Sequence, residues 1–167
     1  MLPAGVCAPI EVNVAKNILV FEIDERQLGV SADLVVEVVR AVTPLSLPRV
    51  PETVMGIINL RGEVVPVLDT RKCLRLAAMP VRHTDHLVII RDGALCYALH
   101  ADRAVDLAML QSDATDEAEE DSEPTGQLAK TTLGFVQLLN PWDLLSSDDR
   151  AELASIVSSA PAREAKG

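Results

Sequence analysis

The chain has 167 residues, of which 49% are apolar but only 2% aromatic, and its formal net charge is −10. That length and apolar fraction fit one folded domain, with room for two small lobes, whose core is built from Val, Leu, Ile and Ala. No apolar run approaches the roughly 18 residues a membrane span needs, and the first residues, MLPAGVCAPIEVN, lack a basic region followed by an apolar one, so the cytosol is expected. The charge, with no basic stripe and few aromatics, argues against nucleic acid and against an anionic membrane surface.

Residues 18–23, ILVFEI, read as a strand, and the polar DERQ then turns the chain into LGV, which predicts a hairpin. DLVVEVVR at 33–40 is ambiguous. Its β-branched content favours a strand, yet Leu34, Val35, Val38 and Val39 share one helical face. The three prolines of TPLSLPRVPET at 43–53 make an extended connector. Next, Val54 to Leu60 and Glu63 to Asp69 predict two strands about Arg61-Gly62, with Gly62 free to take a positive φ. Pro66 demotes the second of these to an edge strand or a bulge.

HLVIIRDGALCYALHA predicts another hairpin, turning at Asp92-Gly93. Residues 111–127 hold seven acids and no base, which leaves about −3 for the rest of the chain, and their composition predicts a solvated, flexible loop. TLGFVQLL reads as a further strand. Ser146 or Ser147 then caps a C-terminal helix with Asp148 and Asp149 in its first turn, and Leu153, Ile156, Val157 and Ala160 form its apolar stripe before Pro161 ends it. VVPVLDTRKCL (64–74) and FVQLLNPWDLL (135–145) align position by position. The match is either one structural element used twice or a coincidence between two apolar segments.

A search for chemistry finds none. His83, His86 and His100 are the only histidines and would have to converge to hold a metal for a small hydrolase. Cys7, Cys73 and Cys96 are widely spaced and read as reduced thiols. No GxSxG elbow, GxGxxG or GxxxxGK[ST] loop occurs, and the paired carboxylates lie in the solvated 116–123 run, where nothing raises a pKa. What stands out instead is polar residues in apolar settings: Glu37 within VVEVV, and Asn59 and Arg61 within the 54–69 hairpin. Polar groups beside exposed apolar ones are typical of protein-binding hot spots.

LGVSADLVVEVVR, a proline-bearing spacer and VMGIINLRGEVVPVLDTRKCL together resemble the CheW-like domains of bacterial chemotaxis, with V-x-E and G-x-x-N-L-R-G-x-V-x-P-V-x-D segments in place. LVIIRDGALCYALHADRAVDL and GFVQLLNPWDLL resemble the family's second hairpin and closing strand, so the match covers residues 16–146. Thr70 and His100 stand where the family has apolar residues.

The resemblance implies a mainly β fold of two five-stranded SH3-like β-barrel subdomains packed together, with short helices, and it assigns 33–40 to a short helix. It places one domain over 16–147, with a tail at 1–15, a C-terminal helix at 148–160 and a tail at 161–167. It implies a scaffold with no catalytic residue, cofactor or metal, linking the cytoplasmic tips of chemoreceptors to the regulatory domain of a CheA-type histidine kinase. Other CheW-like domains are further candidate partners. Val35 and Glu37 fall on the expected receptor contact, and Asn59, Arg61 and Gly62 on the turn that supports receptor and kinase coupling. A cytoplasmic place in membrane-bound receptor arrays follows, in chemotaxis or in a pilus or developmental pathway.

Overall fold

Ten strands account for about half of the residues described by the computed structural model, which are 17–110 and 128–159. The strands are β1 (Asn17–Ile23), β2 (Arg26–Ser31), β3 (Val35–Arg40), β4 (Val54–Leu60), β5 (Glu63–Leu68), β6 (His86–Asp92), β7 (Leu95–Ala101), β8 (Arg103–Met109), β9 (Leu128–Thr131) and β10 (Gly134–Leu138). Two helices join them, α1 (Thr70–Cys73) and α2 (Ser147–Ser159), with 3-10 turns at Ala32–Leu34 and Pro141–Leu144.

The strands form two five-stranded sheets: sheet A in the order β8-β1-β2-β10-β9 and sheet B in the order β3-β6-β7-β5-β4. This is the two-lobed, mainly β architecture expected from the sequence. Each sheet curls until its edges meet. In sheet A, Leu110 at the end of β8 bridges Thr131 of β9, and the Thr132 amide donates to the Met109 carbonyl at 3.1 Å. In sheet B, Glu37 of the β3 edge reaches Arg61 at the tip of the β4–β5 hairpin.

Two strand pairs are apolar on both faces, which explains why ILVFEI and LVII read as continuous runs rather than alternations. Ile18 and Val20 of β1 fill the interior of sheet A with Ala108 and Val136. Leu19, Phe21 and Ile23 face the other way, into a seam shared with Val88, Ile90, Tyr97 and Leu99 of the β6–β7 hairpin. Leu87, Ile89, Cys96 and Ala98 line a third core inside sheet B. Gly29 of β2 is required by packing: a Cβ there would lie 2.6 Å from Ile18 Cγ2 and 2.9 Å from Val136 Cγ1.

Several local expectations need correcting. Residues 35–40 form an edge strand, not a helix, and only Ala32–Leu34 makes a helical turn before it. The β-branched run prevails because β6 offers a paired ladder along its length. β5 is not an edge strand, despite Pro66, since it lies between β4 and β7. Ile57, opposite Pro66, directs both its N–H and its C=O to Leu45, so the pair shares no backbone bond, and pairing with β7 begins only at Val67. The missing proline donor therefore costs the β4–β5 ladder no bond. The second hairpin turns at Gly93-Ala94, one residue later than expected, with Asp92 paired to Leu95. Within TLGFVQLL, Thr132 and Leu133 are a turn, preceded by the unforeseen strand β9.

Ser146 caps α2, its Oγ accepting the Asp149 amide at 3.1 Å. Leu153 is buried in the seam, with Val157 packed against it. Ala160, Pro161, Cys7, Lys16 at the expected domain boundary, the acidic 111–127 run and both expected tails lie outside the described residues.

Candidate docking site

The β4–β5 hairpin has a two-residue loop, with Leu60 paired to Glu63 and both loop residues at positive φ, Arg61 at 53° and Gly62 at 89°. Glycine takes that backbone freely, whereas an arginine there is strained by about 1–2 kcal/mol. Two side chains hold it. Asn59 Oδ1 accepts the Gly62 amide at 2.8 Å, and the Arg61 guanidinium forks onto the Glu37 carboxylate, Nη2 to Oε1 at 2.7 Å and Nη1 to Oε2. The hydrogen bonds from Arg61 hold the Glu37 carboxyl below the usual carboxylate range, against a desolvation cost and with the opposite charge adding. The same bonds raise the Arg61 pKa.

Glu37 reaches this position through a β-bulge. Val35 pairs with Ile90 and Glu37 with Ile89, leaving Val36 as the extra residue. Bulges re-aim side chains at sheet edges. Here Val36 turns outward, 48% exposed, beside the fork. Val35 instead is half-buried against the seam. The fork thus joins four of the expected residues, Glu37, Asn59, Arg61 and Gly62, and substitutes Val36 for Val35 as the exposed apolar neighbour.

A groove of about 430 Å³ adjoins the hairpin, lined by Val42, Thr43, Leu45, Ile57, Ile58, Asn59 and Val64. Gly56 makes it possible. Leu45 and Ile57 exchange backbone bonds at 2.8 and 3.0 Å, and a Cβ on Gly56 would meet the Leu45 carbonyl oxygen at 2.3 Å. The glycine that opens the G-x-x-N-L-R-G segment is therefore needed for the connector to lie against β4.

A second exposed apolar surface lies on sheet A, where Leu107, Met109, Leu128, Leu133 and Phe135 project outward, Phe135 at 63% exposure. Sequence reading missed it. Alternation along β8 and β10 holds the signal, but an outward apolar set reads as core until the register is known.

The histidines do not converge. His100 is buried against Asp85, Nε2 to Oδ2 at 2.8 Å. His86 and His100 pair with Ala101 and Leu87 respectively, which sends their side chains to opposite faces of sheet B. His83 is exposed in the preceding connection. Among the described residues, no three His, Cys, Asp or Glu side chains gather as metal ligands do. Burial pushes the Cys73 thiol up to about 12, with Asp69 and Asp149 adding, and burial also raises Cys96, so neither is an activated nucleophile.

A family model described as the CheW-like domain matches residues 17–149. The chain belongs to the CheW-like domain family. A chemotaxis protein CheW of Bacillus subtilis is 26% identical over 129 residues, covering 77% of this chain and 80% of that one. Protein FrzA of Myxococcus xanthus is 33% identical over 87 residues, covering 52% and 54%. The crystal structure of the scaffolding protein TtCheW from Thermoanaerobacter tengcongensis superposes with a TM-score of 0.70 at 23% identity, covering 81% of this chain and 91% of that one, and shows the same fold. Among the described residues, no helix of this CheW-like chain is long and apolar enough to cross a membrane.

Proposed function

We propose that this chain is a non-enzymatic adaptor that couples the cytoplasmic tips of chemoreceptors to the regulatory domain of a CheA-type histidine kinase. The observation that carries the reading is the presence of two chemically distinct exposed faces, one on each sheet. Sheet B offers the Glu37–Arg61 fork, Val36 and the apolar groove beside Asn59. Sheet A offers the outward set around Phe135. An adaptor needs two surfaces that do not compete, and family membership with relatives named for chemotaxis supplies the context.

On this reading a receptor helix lays an apolar stripe in the groove. Arg61, with N–H donors beyond the two given to Glu37, adds a contact to a carbonyl or carboxylate. The kinase domain takes the other face, and the complex sits in the cytoplasm against membrane-bound receptor arrays.

The test uses Arg61→Ala and Arg61→Glu. Both should keep the wild-type thermal melt while losing pull-down of a receptor fragment. Retention of both receptor and kinase domain by both variants would falsify the role given to Arg61. A scaffold in a non-motility chemosensory pathway, such as a pilus or developmental system, is the second reading. The receptor and kinase that co-purify from native cells separate the two.

A further inference from the structure

A continuous line of polar and charged side chains crosses from one sheet to the other at one end of the seam. It starts at His100, which lies inside β7 and is 1% exposed. Its partner Asp85, also 1% exposed, accepts the Arg82 amide at 2.9 Å and the Arg82 guanidinium at 3.1 Å from Nε and 3.0 Å from Nη2. Burial pushes the Asp85 carboxyl up, but the Arg82 amide, His100 and the Arg82 side chain together hold it below the usual carboxylate range. Asp85 is thus an ionised acceptor, and His100 Nε2 carries the hydrogen between them.

Arg82 reaches on to Asp102, 3.7 Å from Oδ1. Asp102 lies between β7 of sheet B and β8 of sheet A. Its Oδ2 accepts Arg71 Nη2 at 2.7 Å and the Asp24 amide at 2.8 Å, and its own amide donates to the Glu22 carbonyl at 2.9 Å. Arg71, buried in α1 below β5, also lies 3.7 Å from the Asp24 carboxylate and donates to the Ala77 carbonyl at 3.3 Å. Asp24 and Glu25 form the β1–β2 turn, and both hold a positive φ, 56° and 68°, without being glycine. A strained turn of sheet A is therefore gripped by a carboxylate that two arginines of sheet B hold in place.

The seam is apolar, and apolar contact is non-directional: it presses the sheets together without choosing their angle. Charge-assisted hydrogen bonds do choose a geometry. We infer that Asp102 is the hub of a device that fixes the angle between the two sheets, with Arg71 and Arg82 as positioning residues and the His100–Asp85 pair as the anchor of Arg82. Its consequence for signalling rests on the adaptor reading, because the hub then sets how far apart and at what angle two partners are held. The angle itself does not depend on that reading.

The test measures residual dipolar couplings on the full-length ¹⁵N-labelled chain in a dilute alignment medium, fitting one tensor to sheet A amides and one to sheet B. The wild type should give a single common tensor, and Lys130→Gln on exposed β9 should keep it. Asp102→Asn and Arg82→Gln should each lose it, with each sheet still fitting its own wild-type structure. Should Asp102→Asn fail to fold because Arg71 is left buried without an anion, the paired change Asp102→Asn with Arg71→Met and the half-exposed Arg82→Gln carry the test. A common tensor of wild-type orientation in the folded variants overturns the inference, as does its loss in the Lys130→Gln control. Pull-down of each partner singly tests the adaptor reading apart from this result.

Discussion

Sheets A and B are the same assembly made twice. In each, an edge strand leads to an antiparallel hairpin, then to a strand that meets the hairpin in parallel, then to that strand's own hairpin mate, as β8-β1-β2-β10-β9 and β3-β6-β7-β5-β4. The repeated segments 64–74 and 135–145 fall on the equivalent strands β5 and β10 and the helical turns after them. The same alignment sets Arg61 against Thr132, and both residues fasten the hairpin tip to the opposite edge. Thr132 does so with its amide and hydroxyl on Met109, and Arg61 with its side chain on Glu37. The tips are braced alike as well, by Thr131 in one sheet and Asn59 in the other. One sheet thus closes through a hydroxyl and main chain and leaves an apolar outer face. The other closes through an ion pair that is itself part of the exposed surface. Shared parts constrain the cores, and the outer positions, such as Val64 against Phe135, are free to differ.

The strongest way to break this comparison is to attack what the two halves share. Phe21 is fully buried in the seam. Phe21→Ala should destabilise the protein by about 3–5 kcal/mol. Denaturant unfolding followed by Tyr97-region NMR signals and by sheet A amides should show one transition for both sheets. Two separated transitions would mean that the halves are independent domains and the seam only a contact.

Next in size is Asp85, which only sheet B possesses in this role. Its carboxyl is held below the usual range when folded, so its stabilisation is present above the unfolded carboxylate pKa of about 3.9 and is lost as pH falls through the lower folded value. Asp85→Asn should therefore cost about 2 kcal/mol near neutrality and progressively less in acid. Equal costs at neutral and acid pH would show that Asp85 contributes as a neutral hydrogen-bonding group.

Much of the fold was legible because its strands follow local rules: apolar runs ended by Asp24-Glu25, Arg61-Gly62 and Gly93 announce hairpins without knowledge of the tertiary structure. The edge strand at 35–40 was not, because four apolar residues on one helical face fit either period and only the β6 ladder decides between them. Strand β9 escaped because LAKT is too short to carry a period. At the site, Glu37, Asn59 and Arg61 stood out as polar residues in apolar runs. Val36 did not, since its outward turn depends on a bulge, and the hub at Asp102 joins residues 24, 71, 82 and 102, whose proximity is a property of topology alone.

A smaller effect sharpens the comparison of the two helical turns that follow β5 and β10. Thr70 opens α1 fully buried, and its hydroxyl has no hydrogen-bond partner among the described residues. The equivalent position is Pro141, which has no hydroxyl to bury. Thr70→Val should stabilise the protein by about 1 kcal/mol, read as a shift in the denaturant midpoint at constant slope. A loss of stability would reveal a partner for the hydroxyl in solution.

The smallest changes in stability belong to the outer faces, where the two sheets differ most. Arg61→Glu and Phe135→Ser should both leave the denaturation curve superimposable on wild type, since each side chain is largely exposed. Their binding defects should be complementary: the first loses the receptor fragment and keeps the kinase domain, the second the reverse. Placing Glu37→Arg with Arg61→Glu rebuilds the fork with its charges exchanged. If the fork serves only to close sheet B, the double variant recovers receptor binding. If the partner reads the arginine at the tip, it does not, although protection of the β3 amides from hydrogen exchange returns in both cases.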